Sequence, residues 1–216
     1  PTVLKNMFNY TSVFSVQNVD SAAADITLSF FPVGSATAIT RTIKGLPAGS
    51  SEYIDMGKYA GITAATFNGS VKIKSVRAGT TTPGAVVASS MELQTNGDLA
   101  YAFEGATQSA NKIYMPSALC KFGPNSNTNS AYAVQNTGTT AAQVTVTYSN
   151  GKKAGPVALA AGAKTSFDGC GAGNPAGFIG SATITSTGAP IVAVGKIYGG
   201  GLSTAFLGFA SGGAKV

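Results

Sequence analysis

The feature that most constrains the fold of this chain is an internal duplication. Three pairs of segments match in the same order along the chain: residues 14–18 with 132–136, 23–30 with 141–148, and 67–75 with 178–186. The first two pairs share an offset of 118 residues, and the offset shrinks later because the second copy has shorter loops. A repeat of this length indicates two copies of one structural unit.

Hydrophobic residues within each copy recur with the period of a β-strand. Val144, Val146 and Tyr148 alternate with threonines, and the turn signal Asn150-Gly151 follows directly. No segment shows the spacing of an amphipathic helix. The sequence therefore predicts an all-β protein with two tandem antiparallel β-sandwich domains, Ig-like or jelly-roll-like, over residues 1–111 and 112–216. Residues 111–117 are strand-like and should join the two domains stiffly.

Composition indicates which partners such a protein would have. Only 10% of the residues are charged, against roughly 25% in ordinary soluble domains, so the surface consists largely of Thr, Ser, Asn, Gly and Ala. Such a surface costs little to desolvate and suits packing against copies of the same chain. The net charge of +6 is scattered, which argues against a nucleic-acid partner and leaves only weak attraction to cell-envelope polymers or glycans. No apolar run is long enough for membrane insertion.

The sequence is poor in the side chains that enzymes most often use for catalysis. There is no histidine and there are only eight carboxylates, so the commonest general base and metal ligand is absent. Asp55 and Asp168 occupy equivalent positions in the two copies, which favours a turn-capping role over a shared active site. We therefore expect a non-enzymatic protein with no cofactor and no metal.

Two cysteines and the first residue point to a secreted protein. Pro1 is what processing of a precursor would leave, although a chain trimmed in another way would begin in the same manner. Two cysteines in a secreted chain favour a disulfide between Cys120 and Cys170 over free thiols. Copy one has Lys5 and Gly57 at the matching positions, so the bridge would be specific to the second domain. Two segments are glycosylation sequons, which begin at Asn9 and Asn68.

Several motifs resemble those of a known group of proteins. They are Val134-Gln135-Asn136, the alternating strand 144–148, the segment 177–186 and the strand 190–194. Together they resemble the tandem β-sandwich repeats of bacterial secreted and cell-surface structural proteins. The resemblance implies an extracellular or cell-surface scaffold. The shared motifs are structural, so they assign no catalytic residue to this chain.

The two ends of the chain together resemble the segment that joins the copies. Residues 213–216 followed by residues 1–4 align with residues 112–119, which places Pro1 on Pro116. Our hypothesis is a head-to-tail homopolymer, a pilus-like extracellular filament, formed by β-strand complementation. The candidate inter-subunit strand residues are Pro1, Thr2, Val3, Leu4, Lys5, Ala214, Lys215 and Val216. The sequence does not determine which end is the donor.

Two other roles are compatible with the same sequence. One is a monomeric or array-forming cell-surface module. The other is a glycan-binding adhesin, which would need exposed aromatic rings grouped on one face; Tyr101, Phe103 and Tyr198 are the candidates.

Overall fold

A computed structural model describes residues 2–125 and 127–212, and within these ranges it contains strands but no helix. In chain order the strands are β1 (Val3–Lys5), β2 (Tyr10–Asn18), β3 (Ala24–Pro32), β4 (Ile39–Leu46), β5 (Ser51–Asp55), β6 (Phe67–Arg77), β7 (Val86–Gln94), β8 (Ala100–Glu104), β9 (Lys112–Cys120), β10 (Asn129–Asn136), β11 (Ala142–Tyr148), β12 (Lys153–Leu159), β13 (Lys164–Asp168), β14 (Phe178–Thr187), β15 (Ile191–Gly199) and β16 (Leu202–Leu207).

The sixteen strands form two β-sandwiches with the same strand order. In the first domain the sheets are β1-β6-β3-β4 and β5-β2-β7-β8, and in the second they are β9-β14-β11-β12 and β13-β10-β15-β16. Every strand thus has its counterpart eight strands later, and all pairings are antiparallel. The predicted all-β fold of two duplicated sandwiches is confirmed.

The alternating sequence pattern becomes the two hydrophobic cores. Ile26, Leu28 and Phe30 are completely buried on one face of β3, because side chains on a strand alternate between its two faces. Tyr148 lies in the core of the second domain, where its hydroxyl donates to the carbonyl oxygen of Asp168 at 2.9 Å. Burial raises the pKa of Tyr148 to about 12, so the phenol remains a hydrogen-bond donor at neutral pH.

The repeated Gln-Asn pair ends in a buried asparagine that has the same partners in both domains. The Asn136 amide donates to the carbonyl oxygens of Thr140 at 2.8 Å and Leu159 at 2.9 Å. Asn18 donates in the same way to Ala22 and Leu46, at 2.8 and 2.9 Å. The asparagine satisfies carbonyls at strand ends that would otherwise be buried without a partner. The asparagine of the repeated Gln-Asn pair therefore has the same structural role in both domains.

Residues 105–111 carry the chain from one domain to the other. They follow β8, and Ala110 exchanges two backbone hydrogen bonds with Ile191 before β9 begins. The strand-like segment noted in the sequence therefore forms much of β9, which pairs with β14 on both sides of an irregularity at Pro116 and Ser117.

Candidate functional site

The two domains differ most in their first strand. In the second domain β9 runs from Lys112 to Cys120 and covers the edge of β14. In the first domain β1 has only three residues, and Val3, its first, pairs with Gly69 of β6. The structure therefore completes this edge in one domain and leaves it partly open in the other.

The open part of β6 consists of two edge-facing residues. Further along the same edge, Ser75 accepts a hydrogen bond from the Gly84 amide and Arg77 donates one to Thr82. Since alternate residues of a strand present their backbone groups to the same side, Val71 and Ile73 face this edge. Among the described residues they have no backbone partner there. Unpaired strand edges of this kind are templates for pairing with another strand.

A groove of about 410 Å³ lies beside this edge. Its lining is mainly apolar and comes from both sheets of the first domain, from the connecting segment and from Gln135, Thr137 and Val192 of the second domain. The side chains that matter most here are Val71, Ile73, Val86, Ala88 and Phe103. The groove exposes apolar surface to water, so an added chain segment that covered it would stabilise the first domain.

The second domain shows what fills the equivalent space. Ile113 and Met115, on the first half of β9, point inward and are almost completely buried in the core. Lys112 and Tyr114 point outward and are exposed. On β14, Met115 pairs with Ala182 and Ile113 pairs with Ile184. Ala182 corresponds to Val71 of β6 in the first domain, and Ile184 corresponds to Ile73.

The segments after β8 and β16 flank the two sites in the same manner. Phe209 exchanges two backbone hydrogen bonds with Tyr114 of β9, at 2.8 and 3.0 Å. A Cβ atom added to Gly208 would lie 2.3 Å from Ile113. The counterpart Gly105 has only Ala88 near its added Cβ, because no strand occupies the space in front of it.

Buried polar side chains join the domains at one end of the groove. The Lys164 ammonium donates to the side-chain oxygen of Asn68 at 2.6 Å and to the Thr2 hydroxyl at 3.3 Å. Nearby, Lys196 forms an ion pair with the fully buried Glu92. Burial, together with a smaller effect of the positive charge of Lys196, lowers the pKa of Lys164 to about 8, and Glu92 opposes both effects. These contacts hold the domains in a fixed relation.

The Lys164 ammonium makes stability depend on pH. Its pKa falls from 10.5 to about 8 on folding, so the unfolded chain binds more protons above pH 8 and stability rises with pH. We expect the free energy of unfolding to increase by about 1.3 kcal/mol between pH 7 and pH 9, a range in which tyrosines of ordinary pKa remain about 90% protonated. Urea denaturation at several pH values measures this increase.

Two variants isolate the contribution of this lysine. Lys164→Met should remove most of the increase with pH, and Lys58→Met, at a lysine whose side chain is 89% exposed, should retain it. An unchanged pH profile in Lys164→Met would show that other groups cause the dependence.

The structure places the other predicted residues as follows. Cys120 and Cys170 form the predicted disulfide, across 50 residues of sequence. Thr2, Val3 and Leu4 are all buried. Val3 and Leu4 belong to β1 of the first domain, and the Thr2 hydroxyl accepts a hydrogen bond from Lys164 of the second.

The remaining predicted strand residues and the two sequons differ in their surroundings. Pro1, Ala214, Lys215 and Val216 lie outside the described residues, and Lys5 donates to the Ile62 carbonyl oxygen at 2.7 Å. Asn9 is exposed, whereas the Asn68 side chain bonds Lys164.

The aromatic candidates for glycan binding do not share an exposed face. Tyr101 and Phe103 are each 5% exposed, and the Tyr198 hydroxyl donates to a carboxylate oxygen of Asp168 at 2.7 Å. Asp168 also accepts a hydrogen bond from the Cys170 amide, as Asp55 does from the Gly57 amide. Both aspartates therefore cap turns at equivalent positions.

Two kinds of feature are absent from the part of the chain that the structure describes. Over residues 2–125 and 127–212 there is no group of three or more His, Cys, Asp or Glu side chains arranged to hold a metal ion. Nor do these residues include a helix with the length and apolar character needed to cross a membrane.

Comparison with known proteins gives no match. This holds for protein-family models, for curated proteins and for solved structures alike. The open edge and its groove are therefore interpreted from their own geometry.

Proposed function

We propose that this chain is the structural subunit of an extracellular, pilus-like filament that polymerises head to tail by β-strand complementation between chain termini. The open edge at Val71 and Ile73, with its apolar groove, is the observation that carries the proposal. A strand from another molecule would pair with this edge and bury the groove at the same time. The partner is a copy of the chain itself, and no catalytic group or cofactor takes part.

The duplication supports this assembly mode. The second domain keeps a complete first strand, so within residues 2–125 and 127–212 only the first domain presents such a groove. A contact between a groove and a different surface on the next molecule is heterologous, and heterologous contacts that do not close into a ring produce filaments. Each subunit added in this way presents a new groove for the next.

The surface and the cross-link suit a fibre outside the cell. With 10% charged residues, the subunit loses little solvation when its surface is buried against neighbours. The disulfide between Cys120 and Cys170 is of a kind that persists in oxidising compartments. The buried hydrogen bonds from Lys164 to Thr2 and Asn68 link the two domains of a subunit, which would help to make a fibre stiff.

Electron microscopy of the untreated protein tests the proposal. We expect unbranched fibres of uniform width, together with sedimentation of most of the material as large polymers. Fibres that have been dissociated in denaturant should form again when the denaturant is removed. If the protein instead remains a dispersed 21.5 kDa particle at every concentration examined, the proposal fails, and a monomeric surface module becomes the better interpretation.

A further inference from the structure

We infer that residues 213–216 of a second copy occupy the groove, with Ala214 beside Ile73 and Val216 beside Val71. The inference rests on the proposed function and adds to it the identity of the donor segment, its direction and its register. It follows from comparing the open edge of the first domain with the completed edge of the second.

Alignment with the second domain identifies the donor. By their pairing with β14 and β6, Ala118–Cys120 correspond to Val3–Lys5, so Pro116 corresponds to Pro1. Among the described residues of the first domain, none occupies the position of residues 112–115 beside Val71 and Ile73. Residues 213–216, Gly-Ala-Lys-Val, align in sequence with residues 112–115, Lys-Ile-Tyr-Met.

The alternation of side chains fits the same register. In the second domain the inward residues are Ile113 and Met115. Their counterparts in the donor segment are Ala214 and Val216, both apolar, whereas the outward position of Tyr114 is taken by Lys215. A shift by one residue would direct the Lys215 ammonium into the apolar groove, because alternate strand residues face opposite sides. Burying an unpaired ammonium there would be very costly.

The N-terminal segment is unsuited to be the donor. Thr2, Val3 and Leu4 are 1%, 1% and 3% exposed, and the Leu4 amide donates to the buried Ser12 hydroxyl at 2.8 Å. Releasing this segment would open the core of its own domain and lengthen the unpaired edge of β6. It therefore stays in place as the second half of a strand whose first half comes from the neighbouring molecule.

The surroundings of the groove complete the donor's backbone pairing. In the second domain the first half of β9 lies between β14 and the chain after β16, with Tyr114 bonded to Phe209. In the first domain the chain after β8 lines the groove on the corresponding side. Ala106 is the counterpart of Phe209, so it is placed to exchange hydrogen bonds with Lys215 of the donor.

Like charges across the strand pair oppose the docking to a limited extent. In this register Lys215 faces Lys72 of β6, which is exposed and donates to the Thr137 carbonyl oxygen at 3.2 Å. Directly opposed like charges weaken strand pairing. Both ammonium groups face solvent, however, so salt screens the repulsion, and the backbone pairing and apolar burial prevail.

Paired cysteine substitutions test the register. Four double variants combine Val216→Cys or Ala214→Cys with Val71→Cys or Ile73→Cys. Each is assembled under mild reduction, imaged, and then oxidised and separated by non-reducing electrophoresis. We expect a ladder of linked multimers for the 216–71 and 214–73 pairs, and little linkage for the mismatched 216–73 and 214–71 pairs. The four single variants serve as controls for folding and assembly.

The outcomes separate this inference from the proposed function. Fibres whose mismatched pairs link as efficiently as the matched ones would refute the register, and fibres in which no pair links would refute the donor. A product linked within a single chain would show that the segment returns to its own groove. Absence of fibres in the unmodified protein would overturn the proposed function itself.

Discussion

Replacement of Ala88 by Trp should abolish fibre formation and leave the subunit folded. Ala88 lines the groove from β7, beneath the position that the donor strand would take, and the groove offers about 410 Å³ of space for a larger side chain. An indole there fills the groove from within the chain, so the donor strand loses both its space and the apolar surface that it would bury. Electron microscopy and sedimentation velocity measure assembly, and circular dichroism with thermal unfolding measures folding.

Met91→Trp is the matched control for this substitution. Met91 lies on the same strand but on its opposite face, where it is 43% exposed. This variant should assemble normally, and Ala88→Leu should give an intermediate loss with a smaller change in volume. If Ala88→Trp forms fibres as abundant as those of the unmodified protein, the groove is not the joint between subunits.

Removal of the disulfide should lower the free energy of unfolding of the second domain by about 3–4 kcal/mol. The double variant Cys120→Ser with Cys170→Ser opens a loop of 50 residues, and closing a loop of that length removes a corresponding amount of entropy from the unfolded chain. The bridge also ties the end of β9 to the turn after β13. Urea denaturation that follows each domain separately measures the loss.

The first domain provides the internal reference for that experiment. Its counterparts of the two cysteines are Lys5 and Gly57, so its unfolding transition should remain where it is. The unmodified protein in reductant should reproduce the double variant. Equal loss of stability in both domains would mean that the bridge supports the interface between them and not only its own domain.

Much of the architecture can be predicted from the sequence because it is encoded locally. The strict alternation at Val144, Val146 and Tyr148 specifies a half-buried strand, and the offset between the copies is enough to identify equivalent strands. Strand order cannot be predicted in this way, since pairing β6 with β1 and β3 depends on contacts between residues distant in sequence.

The candidate site is predictable only in outline. Alignment of the chain ends with residues 112–119 indicates a divided strand, but the groove exists because of how Val71, Ile73 and Ala88 are brought together in space. Nothing in the sequence pattern reveals the burial of Lys164. It begins β13, a mostly polar strand in which a lysine would normally face solvent, and it contacts Thr2 and Asn68 of the first domain where it is buried.

The complete first strand of the second domain has a consequence for growth. In the proposed polymer the two tips would differ chemically, because one would present the empty groove of the first domain and the other an unengaged tail. Such a thread could be anchored at one tip while monomers join at the other. A molecule that fills the groove but carries no tail of its own would act as a cap, and the ratio of caps to subunits would set how long the threads become.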